Sequence, residues 1–253
     1  MPEPAQPLSL TWLGHSTVLL EAAGMRLLTD PLLRLRVVHL RRVAPPPAAL
    51  DGELDAVLIS HVHHDHLDFG SLRQLRVKRF VVPYGAGRLL TRRGLGPVVE
   101  LSEGDELPLN GVTVRATHAA HPARRWVGAS ASLGYVVSTP TRVYFAGDTD
   151  LFDGMRRLAP LDIALLPVAG WGPRVGRGHL DPCQAAEALR LLQPRVAIPI
   201  HWGTYLRMGM SRDPDGLREP AERFERLAGE LAPEVSVRIL EPGETLVPSG
   251  APA

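Results

Sequence analysis

A histidine-rich heptapeptide that directly follows an apolar run constrains the fold of this chain more than any other feature. The run, residues 55–60, has the length and apolar content of a buried strand. It leads into Ser60-His61-Val62-His63-His64-Asp65-His66. Polar side chains are costly to bury unless they bind a partner. The segment therefore predicts a loop at the carboxyl end of a buried strand, with several side chains converging on one ligand.

The residue types in this loop favour a metal ion as that ligand. Imidazole and carboxylate groups are good ligands for zinc and its neighbours in the first transition row. In the spacing His-x-His-x-Asp-His, His61 and His63 can converge on one ion while Asp65 and His66 turn toward a second. The alternative is a surface turn that is rich in histidine by chance, and the motifs described below disfavour it.

Strand and helix patterns alternate through both halves of the chain. Strands are predicted at 8–13, 17–21, 26–29, 55–60, 79–83, 111–117, 132–138, 142–146, 162–167, 195–200 and 235–240, and helices at 67–75, 87–93, 152–158, 182–192 and 220–231. Two strand-rich halves that each add helices predict two sheets packed face to face with helices outside, an α/β four-layer αββα sandwich. Since no linker composition interrupts the pattern, we expect a single domain over residues 1–253.

One segment, residues 32–47, follows neither period. It contains several arginines, His39 and three consecutive prolines. We interpret it as a long loop, which is either a functional flap or a solvated crossing segment. His39 is expected to be exposed there.

Composition limits the partners. With 28 basic and 27 acidic residues, the formal net charge is +1, so composition provides no field that would steer nucleic acid or an anionic membrane. A small-molecule or lipid-like ester is the expected substrate class. The single cysteine, Cys183, excludes an internal disulfide and favours a cytoplasmic location. We expect its thiol to be buried, and we expect neither a secretion signal nor a transmembrane segment.

Two further motifs follow the histidine loop, and together the three resemble a known family. They are Gly147-Asp148-Thr149 and Ile200-His201-Trp202-Gly203-Thr204. In this order the motifs resemble the metallo-β-lactamase superfamily. Additional segments are similar to the branch that contains bacterial ascorbate-6-phosphate lactonases and N-acylphosphatidylethanolamine phospholipase D: residues 12–17, 29–31, 144–149 and 178–182. The resemblance covers about residues 10–205.

This resemblance implies a centre with two divalent metal ions. The first ion would be held by His61, His63 and a third histidine from the loop after strand 111–117. His118 and His121 are the candidates; His121 fits better, because the family has a small residue two positions before this ligand and a basic residue after it. The second ion would be held by Asp65, His66 and His201, with Asp148 bridging both ions. Zinc suits this ligand set, and manganese or iron can also occupy it.

The resemblance also implies hydrolysis of an ester-like bond, with a phosphodiester or a lactone favoured, through attack by a metal-bridging hydroxide. Asp65 and Asp148 would be catalytic through their hold on the ions. His179 would orient the substrate or protonate the leaving group; a simple contact at the helix start is the alternative. The rival function is a non-catalytic metal- or ligand-binding protein of the same fold, which normally loses some of these ligands.

Several other residues near the motifs are candidates for supporting roles. Asp30 can hydrogen-bond a metal-bound imidazole, and His15 is expected to support the site, line its wall or simply pack. The tryptophans Trp126, Trp171 and Trp202 are expected either to line the substrate pocket or to pack in the core. A phosphate or carboxylate could be bound by the arginines Arg124, Arg125, Arg174 and Arg177.

Overall fold

The computed structural model describes residues 8–122, 131–172 and 175–248. In chain order its strands are β1 (Ser9–Gly14), β2 (Thr17–Ala22), β3 (Met25–Thr29), β4 (Arg36–Val37), β5 (Leu40–Arg42), β6 (Glu53–Leu54), β7 (Ala56–Leu58), β8 (Arg76–Val77), β9 (Phe80–Pro83), β10 (Val98–Leu101), β11 (Glu106–Leu109), β12 (Val112–His118), β13 (Leu133–Ser138), β14 (Arg142–Phe145), β15 (Leu161–Pro167), β16 (Pro194–Ile200), β17 (Tyr205–Arg207), β18 (Ser236–Val237) and β19 (Thr245–Leu246). The helices are α1 (Phe69–Leu72), α2 (Gly87–Thr91), α3 (Pro182–Leu192) and α4 (Pro214–Leu231), and a 3₁₀ helix covers Asp153–Leu158.

Two mixed sheets dominate the architecture. The first has the strand order β10-β9-β7-β3-β2-β1-β19, and the second has the order β11-β12-β13-β14-β15-β16-β18. In each sheet an antiparallel part continues into parallel strands, β3-β7-β9-β10 in the first and β14-β15-β16-β18 in the second. Parallel strands end at the same edge of a sheet, so side chains that follow them in sequence can meet there.

The side chains of each strand alternate between the two faces of the sheet, and this alternation produces the layers of the sandwich. Leu27 and Leu58 belong to the large core that also contains the second sheet, whereas their neighbours Leu28 and Val57 belong to a separate core with residues of α1 and α2. Successive side chains of a strand point to opposite faces, so the first sheet is covered on both sides. Helices α3 and α4 pack against each other and against β15 and β16 of the second sheet. The predicted four-layer αββα sandwich is confirmed.

Several predicted element bounds were wrong. The helix predicted at 67–75 is the single turn α1, which Asp68 caps through its side chain. The helix predicted at 220–231 begins earlier, at Pro214, because the Asp213 side chain accepts a hydrogen bond from the Gly216 amide at 2.7 Å. The strand predicted at 235–240 shortens to β18. Strands β10 and β11 were not predicted at all, because they are half-exposed and have no clear alternation.

The prediction of a structureless loop at 32–47 was also wrong. Strands β4 and β5 form a hairpin there, and β5 pairs with the distant strand β17 in a small third sheet. This sheet has its own core, formed by Leu32, Val37, Leu40 and Tyr205, with Trp171 packed against it. We call residues 32–43 together with 205–212 the hairpin lobe. Its partner strand lies more than 160 residues away in sequence, so a local pattern cannot reveal it.

Cys183 is exposed, contrary to the expectation of a buried thiol. It lies in the first turn of α3, whose buried residues are Pro182, Ala185, Ala186, Ala188, Leu189 and Leu192. Helix α3 thus buries its apolar stripe without the cysteine. Within the described ranges, no helix is long and apolar enough to cross a bilayer.

Candidate metal centre

Four strand ends bring the predicted ligands to one edge of the sandwich. The loop with His61, His63, Asp65 and His66 follows β7, which lies in the first sheet. The residues His121, Asp148 and His201 follow β12, β14 and β16 of the second sheet. The two sheets therefore contribute opposite walls of one polar cluster.

Three imidazoles form the first group of this cluster. The Nδ1 atom of His63 lies 3.0 Å from the Nε2 of His61 and 3.0 Å from the Nε2 of His121. In His61 and His121, the ring nitrogen that faces away from His63 has a hydrogen-bond partner of its own. His61 Nδ1 lies 2.9 Å from the Ser60 hydroxyl, and His121 Nδ1 lies 2.7 Å from the Gly178 carbonyl. A donor at Nδ1 leaves the lone pair at Nε2, so the facing nitrogens can bind a cation.

The second group contains Asp65, His66 and His201. The Nε2 atoms of the two histidines each lie 3.6 Å from Asp65 Oδ2. Their outer nitrogens are again engaged: His66 Nδ1 lies 2.7 Å from Asp30 Oδ2, and His201 Nδ1 lies 2.8 Å from the Ala169 carbonyl. The contact expected between Asp30 and an imidazole is therefore present, and it fixes the orientation of His66.

Asp148 lies between the two groups. Its Oδ2 atom is 3.8 Å from His61 Nε2 and 3.1 Å from His66 Nε2, and its Oδ1 atom is 3.4 Å from His201 Nε2. A carboxylate has two oxygens that can bind different cations, which an imidazole facing one way cannot do. The side chain is thus placed to contact ions on either side.

The unsatisfied atoms of this edge fit a metal centre. His66 Nε2, His201 Nε2 and Asp148 Oδ1 are buried and have no hydrogen-bond partner within the described ranges. Buried polar groups are almost always paired, so each such atom needs an explanation. The donors here are imidazole nitrogens and carboxylate oxygens, the types that zinc, manganese and iron accept. The residues present therefore fit a divalent cation of this kind.

The electrostatics of the cluster are consistent with this fit. Burial holds the pKa of His61 well below its usual value and lowers that of His63 to about 4, so both are neutral ligands at pH 7. Burial alone would raise the pKa of Asp148, but His201 and His66 outweigh it and hold the pKa well below the usual range. Burial opposes protonation of His66, yet the carboxylates Asp148, Asp65 and Asp30 raise its pKa well above normal. A cation would neutralise this local excess of carboxylates.

Two residues that the sequence left without a definite role hold Asp65. The Trp171 indole donates a hydrogen bond to Asp65 Oδ2 at 3.1 Å, and His15 Nε2 lies 3.2 Å from the same oxygen. His15 and His201 both have positive φ angles, 54° and 62°, and the His201 amide donates to the His15 carbonyl at 2.9 Å. Such strained backbone persists where surrounding contacts enforce it, and it clusters at functional sites.

His179 faces the centre from the loop between β15 and α3. Its Nε2 atom lies 3.2 Å from Asp148 Oδ2, and its Nδ1 atom lies 3.2 Å from the carbonyls of Gly176 and Arg177. The alternative of a simple contact at the helix start does not describe this geometry. His179 also lies close enough to His121 and Asp148 to share a cation with them, which no local signal in the sequence indicates.

His118 points away from the cluster. It is exposed, and its Nδ1 atom lies 3.1 Å from Glu103 Oε2. His118 ends strand β12, whereas His121 follows the strand by three residues and reaches the edge. Of the two candidates, only His121 is brought near His61 and His63.

The other predicted site residues have mixed outcomes. Trp202 is buried and stacks on Trp12 with ring centroids 5.0 Å apart, so it belongs to the core and does not line a pocket. The half-buried His39 packs edge-on against His64 and Trp171, each at 4.9 Å, so the expectation that it is exposed was wrong. Arg177 is exposed. The remaining candidates, Arg124, Arg125, Trp126 and Arg174, lie outside the described residues.

Gly147 explains how the two walls approach each other. Its φ angle is +60°, and a Cβ atom at this position would lie 2.6 Å from Ser60 Cβ. Any larger residue would push the loop that carries Asp148 away from the loop that carries His61. The glycine of the Gly147-Asp148-Thr149 motif is therefore required by the close packing of the two sheet edges.

Known proteins are similar to this chain over most of its length. Residues 25–202 match the family model described as beta-lactamase superfamily domain. The chain is 33% identical over 232 residues to N-acyl-phosphatidylethanolamine-hydrolyzing phospholipase D 1 from Caenorhabditis elegans, which covers 77% of this chain and 64% of that protein. It is 33% identical over 246 residues to a UPF0173 metal-dependent hydrolase from Methanopyrus kandleri, covering 93% of this chain and 98% of that one.

Solved structures share the fold. A metallo hydrolase from Ignicoccus hospitalis, Igni18, superposes with a TM-score of 0.74 at 26% identity, covering 95% of this chain and 98% of that chain. The diiron β-hydroxylase CmlA from Streptomyces venezuelae superposes with a TM-score of 0.76 at 21% identity, covering 98% of this chain and 55% of that chain, a likeness of fold alone. The αββα fold, the matched family model and the relatives of similar length lead to one conclusion: the chain belongs to the metallo-β-lactamase superfamily and is a metal-dependent hydrolase.

Proposed function

We propose that this hydrolase binds two divalent cations, with zinc as the expected metal, and uses them to cleave a phosphodiester or lactone bond. The observation that carries the proposal is the position of Asp148, which is within 3.8 Å of ring nitrogens from both histidine groups. A phosphodiester is favoured because the nematode relative is named as a phospholipase D that hydrolyses N-acyl-phosphatidylethanolamine, a lipid whose headgroup is joined through a phosphodiester.

The ligand assignment follows the two groups. In this proposal one cation is held by His61, His63 and His121, and the other by Asp65, His66 and His201, while Asp148 contacts both. When bound, the cations supply Lewis acidity and hydroxide at neutral pH, because they lower the pKa of water from about 15.7 to roughly 7.

Residues around the ligands keep them in place. The Ser60 hydroxyl donates to Asp30 Oδ2 and is the acceptor available to His61 Nδ1, so one carboxylate orients imidazoles in both groups. Asp65 is fixed by Trp171 and His15 on the opposite side. A ligand set that is held before the substrate arrives needs little rearrangement during the reaction.

His179 supplies the proton in this proposal. Its Nε2 atom points at Asp148 from outside the two ligand groups, and its side chain is partly open to solvent. A bound ester would therefore have its leaving oxygen near this imidazole, which would donate the proton that an alkoxide needs to depart. With a lactone, the same proton transfer would produce a hydroxyl that stays attached to the product.

The first test combines metal analysis with variants of Asp148. Protein purified without chelator should contain close to two transition-metal ions per chain and should hydrolyse bis(p-nitrophenyl) phosphate or a simple lactone. Asp148→Ala should lose metal. Loss of a residue that only supports the ligands costs roughly 10- to 100-fold in rate, and the rate of Asp148→Ala should fall by more than that. Asp148→Asn should retain some metal but little activity.

Asp51→Asn is the matched control, because Asp51 is exposed in the loop before β6. It should behave like the parent. A reproducible content of one ion or none in the parent protein, or parental activity in Asp148→Ala, would disprove the two-cation proposal.

A further inference from the structure

The hairpin lobe presents an exposed apolar tip. The residues Leu35, Val38 and Met208 are exposed by 59%, 71% and 50%. Among the described residues, two other large hydrophobic residues are as exposed, Tyr84 and Val247, and both lie outside the lobe. Backbone pairing holds all three residues within this lobe: the Arg42 amide donates to the Leu35 carbonyl, and the Met208 amide donates to the His39 carbonyl next to Val38, both at 2.8 Å. Exposed apolar side chains that share one small lobe make that lobe a candidate contact with an apolar partner.

Val38 holds this tip in an unfavourable backbone conformation. Its φ angle is +49°, in the left-handed region that glycine and asparagine adopt readily and that β-branched residues avoid. The side chain is mostly exposed, so no packing inside the protein offsets this cost. An exposed valine at such a turn is consistent with a function outside the folded chain.

Four arginines of the hairpin lobe have no carboxylate partner among the described residues. Residues 31–50 and 205–212 contain no aspartate or glutamate. Arg36 and Arg207 are exposed, while Arg41 and Arg212 donate only to backbone carbonyls, those of Met210, Gly172 and Gly216. Within the described part of the chain, none of these four guanidinium groups has a carboxylate within 4 Å, although Arg34 is paired with Asp68. The nearly neutral total charge therefore conceals a local positive surface.

The lobe borders the candidate metal centre. The Arg207 amide donates to the Trp171 carbonyl at 3.2 Å, and the indole of the same tryptophan donates to Asp65. A surface that contacts the lobe would consequently lie beside the edge of the sandwich where the ligands converge.

We propose that the hairpin lobe docks this protein on an anionic lipid bilayer. Leu35, Val38 and Met208 enter the boundary between headgroups and acyl chains, and the arginines around them meet the lipid phosphates. Apolar insertion and electrostatic attraction to anionic lipid together give reversible surface binding. This docking goes beyond the proposed hydrolysis, because it does not require the substrate itself to be a lipid.

The test is flotation of the full-length protein with unilamellar vesicles. One set consists of phosphatidylcholine alone, and the other contains equal parts of phosphatidylcholine and phosphatidylglycerol. We expect binding to the anionic vesicles, weaker binding to the neutral ones, and a decrease as salt rises. Equal binding to both sets, or none to either, would overturn the proposal.

Variants separate the tip from the rest of the surface. Val38→Asn removes the apolar tip and suits the left-handed turn, so binding should fall about tenfold without a lower Tm. Tyr84→Ser, at an apolar residue 69% exposed elsewhere, is the control and should bind like the parent. Combining Arg36→Gln with Arg207→Gln should reduce binding by about fivefold for each charge, whereas Arg92→Gln, at an exposed arginine outside the lobe, should not.

Two further measurements keep the outcome unambiguous. Asp148→Ala should bind anionic vesicles like the parent, so a failure of the hydrolytic proposal would leave docking intact, and failed docking would leave hydrolysis intact. If Val38→Asn and Tyr84→Ser lose binding equally, the lobe is not the docking surface. If the parent ignores vesicles and self-associates, and Val38→Asn abolishes that, the tip is an interface between copies of this chain and the proposal is wrong.

Discussion

At the scale of single residues, hydrogen bonds to the outer ring nitrogens decide which atoms face the candidate centre. Ser60, Gly178, Asp30 and Ala169 each contact the Nδ1 atom of one imidazole. With those nitrogens acting as donors, the lone pairs at Nε2 point inward. The chemistry of the edge therefore depends on these four supporting contacts as well as on the histidines themselves.

The third histidine of the first group can be tested by comparing two alanine variants. His121→Ala should lose metal severely, because its Nε2 lies 3.0 Å from His63 Nδ1 in the cluster. His118→Ala should keep most of its metal and activity, because that imidazole contacts Glu103 at the surface. Metal content by mass spectrometry and the rate of phosphodiester hydrolysis decide between them. The reverse ranking would transfer the role to His118.

His179→Ala tests proton donation. We expect an unchanged metal content and Tm, with a rate lower by roughly 10²–10⁴-fold on a substrate that releases an alkoxide. A p-nitrophenyl phosphodiester has a good leaving group and needs little protonation, so its hydrolysis should suffer less. Loss of metal would instead make His179 a ligand, and equal loss on both substrates with a lower Tm would make its role structural.

At the scale of elements, the turn from β15 into α3 sets the position of His121. Gly178 has a φ angle of +82°, and a Cβ atom there would collide with Pro122 Cδ and lie 3.1 Å from His121 Nδ1. Its carbonyl also accepts the hydrogen bond from that nitrogen. The turn therefore both admits the imidazole and orients it.

Gly178→Ala should weaken metal binding and reduce activity by roughly 10- to 100-fold, because it displaces His121 and the acceptor of its Nδ1. Gly176→Ala is the control in the same loop, since no atom of the described residues lies within 4 Å of its Cβ position. Titration with zinc in the presence of a competing chelator measures the effect. If both variants bind metal like the parent, the turn does not position the ligand.

At the scale of the whole molecule, the centre couples the two sheets to each other. Asp65 and His66 come from the loop after β7 of the first sheet, while Asp148 and His201 come from the second. A cation that contacts residues of both sheets stabilises the folded state relative to the unfolded chain by mass action.

Removal of metal by a chelator should therefore lower the Tm. Occupancy at about 100 times the Kd contributes about 2.7 kcal/mol, which for a chain of this size corresponds to a fall of roughly 5–10 °C. Differential scanning fluorimetry with and without chelator measures it. Asp148→Ala should respond much less, and an unchanged parental Tm would contradict the coupling.

The helices, most strands of the two large sheets, the fold class and the candidate ligands could be predicted from the sequence. The apolar run 55–60 and the His61–His66 spacing are local, and the position of a motif at a strand end depends only on the chain near it. Asp148 and His201 also follow predicted strands, but their role as candidate ligands is implied by the resemblance of their short motifs to the metallo-β-lactamase superfamily. Because each signal lies within a few residues, no knowledge of long-range packing was needed to find it.

Tertiary structure alone decided what depends on distant partners. The hairpin lobe exists because β5 pairs with β17, and a strand stabilised by a distant partner carries no local period to reveal it. The same holds for the approach of His179 to Asp148 and for the stacking of Trp202 on Trp12. The distribution of charge also depends on packing. The sequence provides a nearly neutral total, and the pairing of two distant segments places Arg36, Arg41 and Arg207 in one lobe, where no carboxylate of the described residues lies within 4 Å of them.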